Sequence, residues 1–127
     1  MRNGGHVNEQ AQILWMDLVS AGSANRVLEA TLALIAARPE LCGWDWIVEC
    51  HPLPDDATAD HLHALSEAWG PPPEVEAITV FVTQDKLLHL WARVLDFQFT
   101  RRKHLITRDL ESARKLIERQ RALRPPR

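Results

Sequence analysis

Strand and helix patterns alternate along the chain, and this alternation constrains the fold more than any other feature. Apolar runs that alternate or are β-branched, at residues 11–19, 44–51, 77–83 and 103–107, predict four strands, and residues 6–8 can form a short edge strand before them. Apolar residues at helical spacing follow each of the four. Because strand–helix–strand units favour parallel pairing, we predict an α/β two-layer sandwich with four to five mostly parallel strands and helices mainly on one face.

Capping residues indicate where the helices begin and end. Ser23 precedes the first helical run and Pro39 follows it, so we expect the first helix to lie between them. Thr58 is expected to cap the second helix, and Thr107 or Asp109 the last one.

Length and composition indicate one globular domain. The chain has 127 residues, of which 46% are hydrophobic and 25% charged, and this usage argues against disorder. We expect a single domain over residues 1–127, with loose termini at 1–6 and 124–127. The first residues lack the apolar segment of a secretory signal, and the longest uncharged apolar run is too short to cross a bilayer. We therefore expect a cytoplasmic protein without membrane insertion.

The net charge is −2, but the charged residues are unevenly distributed along the chain. Residues 1–100 carry five Lys/Arg against fourteen Asp/Glu, a net −9, whereas residues 101–127 carry ten against three, a net +7. The basic end can serve an acidic partner, or it can lie against the protein's own acidic surface. Trp91 and Phe97 precede the basic run 101–104, but Trp91 is in step with the core positions of its helix. Because aromatic residues are few and the rest of the chain is acidic, we expect no nucleic-acid partner.

Alternation along the strands sorts their side chains into two sets that should lie on opposite faces of the sheet. The first set is uniformly apolar: Leu14, Met16, Leu18, Trp46, Val48, Cys50, Ile78, Val80 and Val82. The second set mixes large apolar with polar side chains: Ile13, Trp15, Asp17, Ile47, Glu49, His51, Thr79, Phe81 and Thr83. We expect helices to cover the first face and the second face to be more open. Because Ile13, Trp15 and Phe81 are too apolar to face water, a second copy, another partner or a small ligand should meet them, unless a helix or the N-terminal segment does.

Three titratable residues of the second set, Asp17, Glu49 and His51, could act as general acid or base if they converge. No nucleophile motif and no Gly-rich phosphate loop accompanies them in the sequence, so an ion pair is the simpler role. His61 and His63 lie near several acids, but two residues apart on a helix they point about 200° apart and cannot share a metal. We therefore expect neither a metal nor a cofactor.

Several segments of the chain carry a family resemblance. They are AARPEL at 36–41 leading into GWDWIV at 43–48, FVT at 81–83, LWARVLDFQF at 90–99, and RKHLI at 102–106 followed by DLESA at 109–113. In this pattern, over roughly residues 7–120, the chain resembles the STAS/SpoIIAA-like family, that of the anti-sigma factor antagonists, and most closely its small uncharacterised bacterial members. The resemblance implies the fold, and regulation through protein–protein contact more than a chemistry.

Regulatory members of that family carry a phosphoacceptor turn of the Asp-Ser-Ser/Thr-Gly type after the central strand. At this place the chain has PDDATAD at 54–60, in which Thr58 is the one hydroxyl. Thr58 is thus the candidate phosphoacceptor, but the neighbouring acids would repel a phosphate group, and an N-cap is the expected role.

Three functions follow from these observations. The first is a non-enzymatic STAS/SpoIIAA-like interaction module that forms a homodimer through the open sheet face. The second is the binding of a small apolar ligand between the third helix and the sheet, near Trp91 and Phe97. The third is an enzyme that uses Asp17, Glu49 and His51. The candidate interface or ligand residues are Ile13, Trp15, Asp17, Glu49, His51, Phe81 and Trp91.

Overall fold

Five strands and four α-helices alternate along the described part of the chain, which in this computed structural model comprises residues 5–17, 23–50, 58–69, 76–84, 88–99 and 102–123. The strands are β1 (Gly5–Asn8), β2 (Ile13–Asp17), β3 (Asp45–Glu49), β4 (Ala77–Val82) and β5 (Arg102–Thr107). The helices are α1 (Ala24–Ala37), α2 (Ala59–Trp69), α3 (Leu88–Gln98) and α4 (Leu110–Leu123). A short 3₁₀ helix, Pro39–Gly43, joins α1 to β3.

The sheet has the order β1-β2-β3-β4-β5, so every strand lies beside its neighbours in sequence. β1 and β2 pair antiparallel as a hairpin, and β2 to β5 are parallel. α1, α2 and α3 connect consecutive parallel strands, and right-handed connections place all three on one face. The predicted α/β sandwich, with mostly parallel strands, a short edge strand and helices mainly on one face, is confirmed.

The helix ends follow the capping residues in the sequence. The Ser23 hydroxyl accepts a hydrogen bond from the Arg26 N–H at 3.2 Å, and α1 ends shortly before Pro39. The Asp109 carboxylate accepts one from the Ser112 N–H at 2.7 Å and so caps α4. The predicted caps at Ser23 and Asp109 and the predicted stop at Pro39 are confirmed.

The face covered by α1, α2 and α3, called here the three-helix face, holds the larger of the two core clusters that the described residues form. Its buried apolar members are Leu14, Met16, Ile35, Leu41, Trp44, Trp46, Val48 and Cys50. The Trp46 indole is fixed in this core because its N–H donates to the Leu41 carbonyl of the 3₁₀ helix at 2.7 Å. Trp91 of α3 is half-buried against the same core, as its helical spacing predicts.

The opposite face, called here the α4 face, is not open over its whole width. α4 packs over β3, β4 and β5, where Ala113 and Ile117 are buried against residues such as Ile47. The expectation of an open face is therefore wrong over these strands, and the alternative of a covering helix holds there. The apolar side of α4 matches the apolar residues of this sheet face, and burying both surfaces favours packing there. Ile13 and Trp15 of β2 remain half-buried beside it.

The residues of β4 face the opposite way from the predicted sorting. The register pairs Val48 of β3 with Phe81 of β4, and paired residues of parallel strands point to the same side. Phe81 therefore lies on the three-helix face, and the prediction that it shares a face with Ile13 and Trp15 is wrong. Alternation divides the residues of one strand between the two faces of the sheet. The pairing with the neighbouring strand decides which of the two sets lies on which face.

A buried carboxylate at the start of β3 holds the last turns of α4 to the sheet. Asp45 is 0% exposed, and its two oxygens accept hydrogen bonds from the Ile78 N–H at 2.9 Å and from Arg121 Nε at 2.7 Å. Arg121 also donates to the Gln12 carbonyl at 3.2 Å, and the Asp45 N–H donates to the same carbonyl at 3.3 Å. One cluster thus joins the β1–β2 hairpin, β3, β4 and α4.

We expect Arg121→Met to lower the free energy of unfolding by about 3 kcal/mol, because it leaves the buried Asp45 carboxylate without its cation. Asp45→Asn should cost less, about 1–2 kcal/mol, since it leaves no buried charge and Arg121 is 33% exposed and can turn to water. Urea unfolding followed by Trp fluorescence measures both changes.

Arg119→Met is the matched control, because Arg119 is exposed on the same helix. It should change the free energy of unfolding by less than about 0.5 kcal/mol. If Arg121→Met proves no more destabilising than Arg119→Met, the ion pair does not hold α4 to the sheet.

Candidate interaction surfaces

Three of the four exposed large apolar side chains among the described residues lie in a row on α3. Leu90, Val94 and Phe97 are 68%, 45% and 88% exposed. Their spacing of four and three residues puts them on one side of the helix, opposite the buried Ala92 and Leu95. Leu90, Val94 and Phe97 are called here the α3 stripe. α3 carries apolar residues on two sides. The core buries only one of these sides, so the other faces water.

A groove of about 450 Å³ lies on the α4 face, between α4 and the β1–β2 hairpin. This α4 groove is lined by Val7, Asn8, Ala11, Ile13, Trp15, Ile47, Leu110, Arg114, Ile117, Glu118 and Arg121. α4 makes its main sheet contacts over β3 to β5, and the groove lies beside it, over β1 and β2. Ile13, Trp15 and Ile47 form an apolar floor, and Arg114 and Glu118 stand exposed on the α4 side.

The predicted polar candidates of β2 and β3 lie at the carboxyl ends of these strands. Asp17 and Glu49 occupy paired positions, so both side chains leave the same face of the sheet. The Glu49 carboxylate accepts a hydrogen bond from the Trp15 indole N–H at 2.9 Å, which fixes the Trp15 ring beside the α4 groove. His51, the third predicted titratable candidate, lies outside the described residues.

Trp91 and Phe97, the residues predicted beside an apolar ligand, point in different directions. Trp91 packs against the core of the three-helix face, whereas Phe97 is 88% exposed. Six residues apart on a helix, the two side chains differ in direction by about 120°. Phe97 therefore does not line a cavity between α3 and the sheet, and that part of the ligand prediction is wrong.

Thr58 stands immediately before α2, as an N-cap would, and its side chain contacts a histidine. Its hydroxyl lies 2.9 Å from His61 Nδ1, and its N–H donates to the same atom at 3.1 Å. His61 Nε2 lies 2.8 Å from the Asn25 amide oxygen, so the ring links the beginnings of α1 and α2. His63 is exposed and lies 3.4 Å from Glu67. The two histidines thus have separate surroundings, as their spacing predicts.

The basic run at 101–104 contains a buried arginine that the sequence pattern does not reveal. The Arg102 guanidinium donates to the Thr79 hydroxyl at 2.7 Å and to two backbone carbonyls in the segment before β3. It also lies over the Trp46 and Trp69 rings, 5.7 and 5.2 Å from their centroids. Arg102 therefore stabilises the interior of the three-helix face and cannot meet an anion at the surface.

His104 is buried on the same face, and a carboxylate orients its ring. Nδ1 lies 3.0 Å from Asp96 Oδ1 and donates to it, because a carboxylate only accepts. Arg93 donates to the His104 carbonyl at 2.8 Å and lies 3.1 Å from the second Asp96 oxygen. Burial lowers the pKa of His104 to about 4, and the positive charge of Arg102 adds to this effect, whereas the bond to Asp96 opposes it.

Neither a metal centre nor a membrane-spanning helix is found in the described part of the chain. No group of three or more His, Cys, Asp or Glu there could hold a metal ion, and none of the helices is both long and apolar enough to cross a bilayer. Comparisons with protein-family models, with curated proteins and with solved structures gave no match to this chain. A function has therefore to be argued from the two apolar surfaces, the α3 stripe and the α4 groove.

His104 should make the protein less stable as the pH falls. Its pKa of about 4 in the folded state lies below the value of about 6.5 for an unfolded histidine, so the unfolded chain binds this proton more tightly. The effect is absent above about pH 7 and grows as the pH falls towards 4, where it reaches about 3 kcal/mol. Urea unfolding at several values between about pH 7 and about pH 4 measures it.

His104→Phe keeps a ring beside Phe81 and Phe99 and removes the titrating group. Its free energy of unfolding should fall less than that of the wild type over the same pH range. His63→Gln, at an exposed position on α2, is the control and should follow the wild type. Equal pH dependence of the wild type and His104→Phe would contradict the prediction.

Proposed function

We propose that this chain is a non-enzymatic interaction module that associates with itself, and that the α3 stripe is its main contact surface. One observation carries the proposal: three large apolar side chains stand exposed in a row on one helix. Burying such surface against a partner is favourable by about 25 cal/mol per Å². Contiguous exposed apolar patches on folded proteins commonly mark contact sites.

The surroundings of the α3 stripe support a contact between helices. Spacings of four and three residues between apolar positions are those of the seam along which two helices pack. Arg93 lies beside the stripe, and its side chain is 64% exposed. An apolar centre with a polar rim is the usual arrangement of a protein–protein interface.

The non-enzymatic part of the proposal has two supports. The resemblance to the STAS/SpoIIAA-like family implies regulation through protein–protein contact. The proposal also includes the cytoplasmic location that we expect from the sequence. The Glu49 carboxylate is bonded to the Trp15 indole, which gives this candidate acid a structural partner. The catalytic alternative also needs His51, which is not among the described residues.

Phe97→Glu should weaken self-association at least tenfold, because a carboxylate would have to lose its water in an apolar contact. Size-exclusion chromatography with light scattering, over a series of protein concentrations, measures this. The mass of the wild type should rise with concentration, whereas the variant should keep the monomer mass.

His89→Glu is the matched control, because it adds the same charge to an exposed position of α3 that lies off the stripe. It should associate as the wild type does. A wild type that is monomeric at every concentration would show that self-association is wrong. A Phe97→Glu variant that associates normally would show that the α3 stripe is not the contact surface.

A further inference from the structure

β5 is the last strand of the sheet that the described residues form, and two side chains of α3 are bonded to its outer edge. We propose that Arg93 and Asp96 are an autoinhibitory contact, called here the edge clamp, which keeps β5 from pairing with β5 of a second copy. An exposed strand edge presents N–H and C=O groups on which another chain can extend the sheet. The edge clamp is separate from the α3 stripe and does not depend on the proposed self-association.

The backbone groups of His104 point away from the neighbouring strand. At the end of β5, the Thr107 carbonyl accepts a hydrogen bond from the Thr83 N–H at 3.0 Å, so residue 107 bonds towards β4. In a strand, the N–H and C=O of one residue point to the same side, and those of the next residue point to the other side. His104 lies three residues before Thr107, so its N–H and carbonyl point to the outer edge, as do those of Ile106.

Both outward groups of His104 are bonded to α3. Its N–H donates to Asp96 Oδ1 at 2.7 Å, and its carbonyl accepts from Arg93 at 2.8 Å. Arg93 and Asp96 are three residues apart on one side of α3 and also pair with each other at 3.1 Å, so one unit holds both groups. Hydrogen bonds to charged groups are stronger than those between neutral ones. A strand that approached this edge would have to displace both side chains before it could pair.

The His104 ring keeps Asp96 at the edge of the sheet. Nδ1 donates to Asp96 Oδ1 at 3.0 Å, so this one oxygen accepts from both the ring and the backbone N–H of His104. The His104 side chain is 4% exposed, and a buried ring N–H that loses its acceptor costs free energy. The Asp96 carboxylate is therefore held against β5 although 34% of its side chain is exposed to water.

The edge clamp lies at the middle of the strand edge that it closes. β5 spans Arg102–Thr107, and its outward backbone groups belong to Arg102, His104 and Ile106, of which His104 is the central residue. The outward groups on either side of it are about 7 Å away, so a blocked centre leaves no continuous run for pairing. Two β5 edges are otherwise complementary, because antiparallel strands exchange N–H and C=O groups in pairs. A second copy is therefore the partner that the edge clamp excludes.

The test opens the edge in a chain whose α3 stripe already carries Phe97→Glu. In this background, Arg93→Ala with Asp96→Ala removes the edge clamp, whereas Arg93→Lys with Asp96→Asn keeps a donor and an acceptor. In sedimentation velocity, the open variant should associate about tenfold more tightly than Phe97→Glu alone, and the conservative variant should not. A second open variant also carries His104→Phe, which removes the ring N–H that Asp96→Ala leaves unpaired. Circular dichroism checks that all of them fold.

Ile106→Pro shows whether the edge of β5 carries the new association. It removes an outward N–H of β5 and keeps the bonds to β4, so it should return the open variants to the association of Phe97→Glu alone. Open variants that associate no more than Phe97→Glu alone overturn the inference. Association that persists with Ile106→Pro also overturns it, because another surface then carries the contact. A monomeric wild type overturns the proposed function and leaves the edge clamp standing.

Discussion

The ion pair between Asp45 and Arg121 holds α4 to the sheet and so determines which part of that sheet face α4 covers. A carboxylate that is 0% exposed costs free energy unless it is paired and hydrogen-bonded, and Arg121 supplies the cation from α4. The pair holds the last turns of α4 at the amino end of β3, while the Asp109 cap sets its first turn directly after β5. α4 is thereby kept over β3 to β5. The margin over β1 and β2 is left as a groove.

The uneven charge of the chain has a structural explanation in two of its basic residues. Arg102 lies inside the three-helix face, between tryptophan rings and backbone carbonyls, and Arg121 is bonded to Asp45. The expectation that the basic end could lie against the protein's own acids thus holds for Arg121. On the three-helix face, the polar side chains of Arg102 and His104 are buried, whereas the apolar side chains of Leu90 and Phe97 are exposed.

The candidate surfaces could be predicted in part. The half-buried Ile13 and Trp15 were expected on an incompletely covered side of the sheet, and they line the α4 groove. The α3 stripe was missed because α3 carries apolar residues on two sides, and the spacing of Leu90 and Phe97 resembles that of a core face. Helical periodicity shows that α3 has two apolar sides. It does not show which of them the sheet will bury, since that depends on how the neighbouring helices and β5 meet α3.

The sequence by itself determined the order and type of the elements, because caps, prolines and apolar periods act over a few neighbouring residues, as at Ser23 and Pro39. Only the tertiary structure decided which face Phe81 joins and where α4 packs. The first depends on the pairing of β4 with β3. The second depends on a bond between Asp45 and Arg121, which are 76 residues apart. Contacts over such separations leave no local pattern in the chain, so they exist only once it has folded.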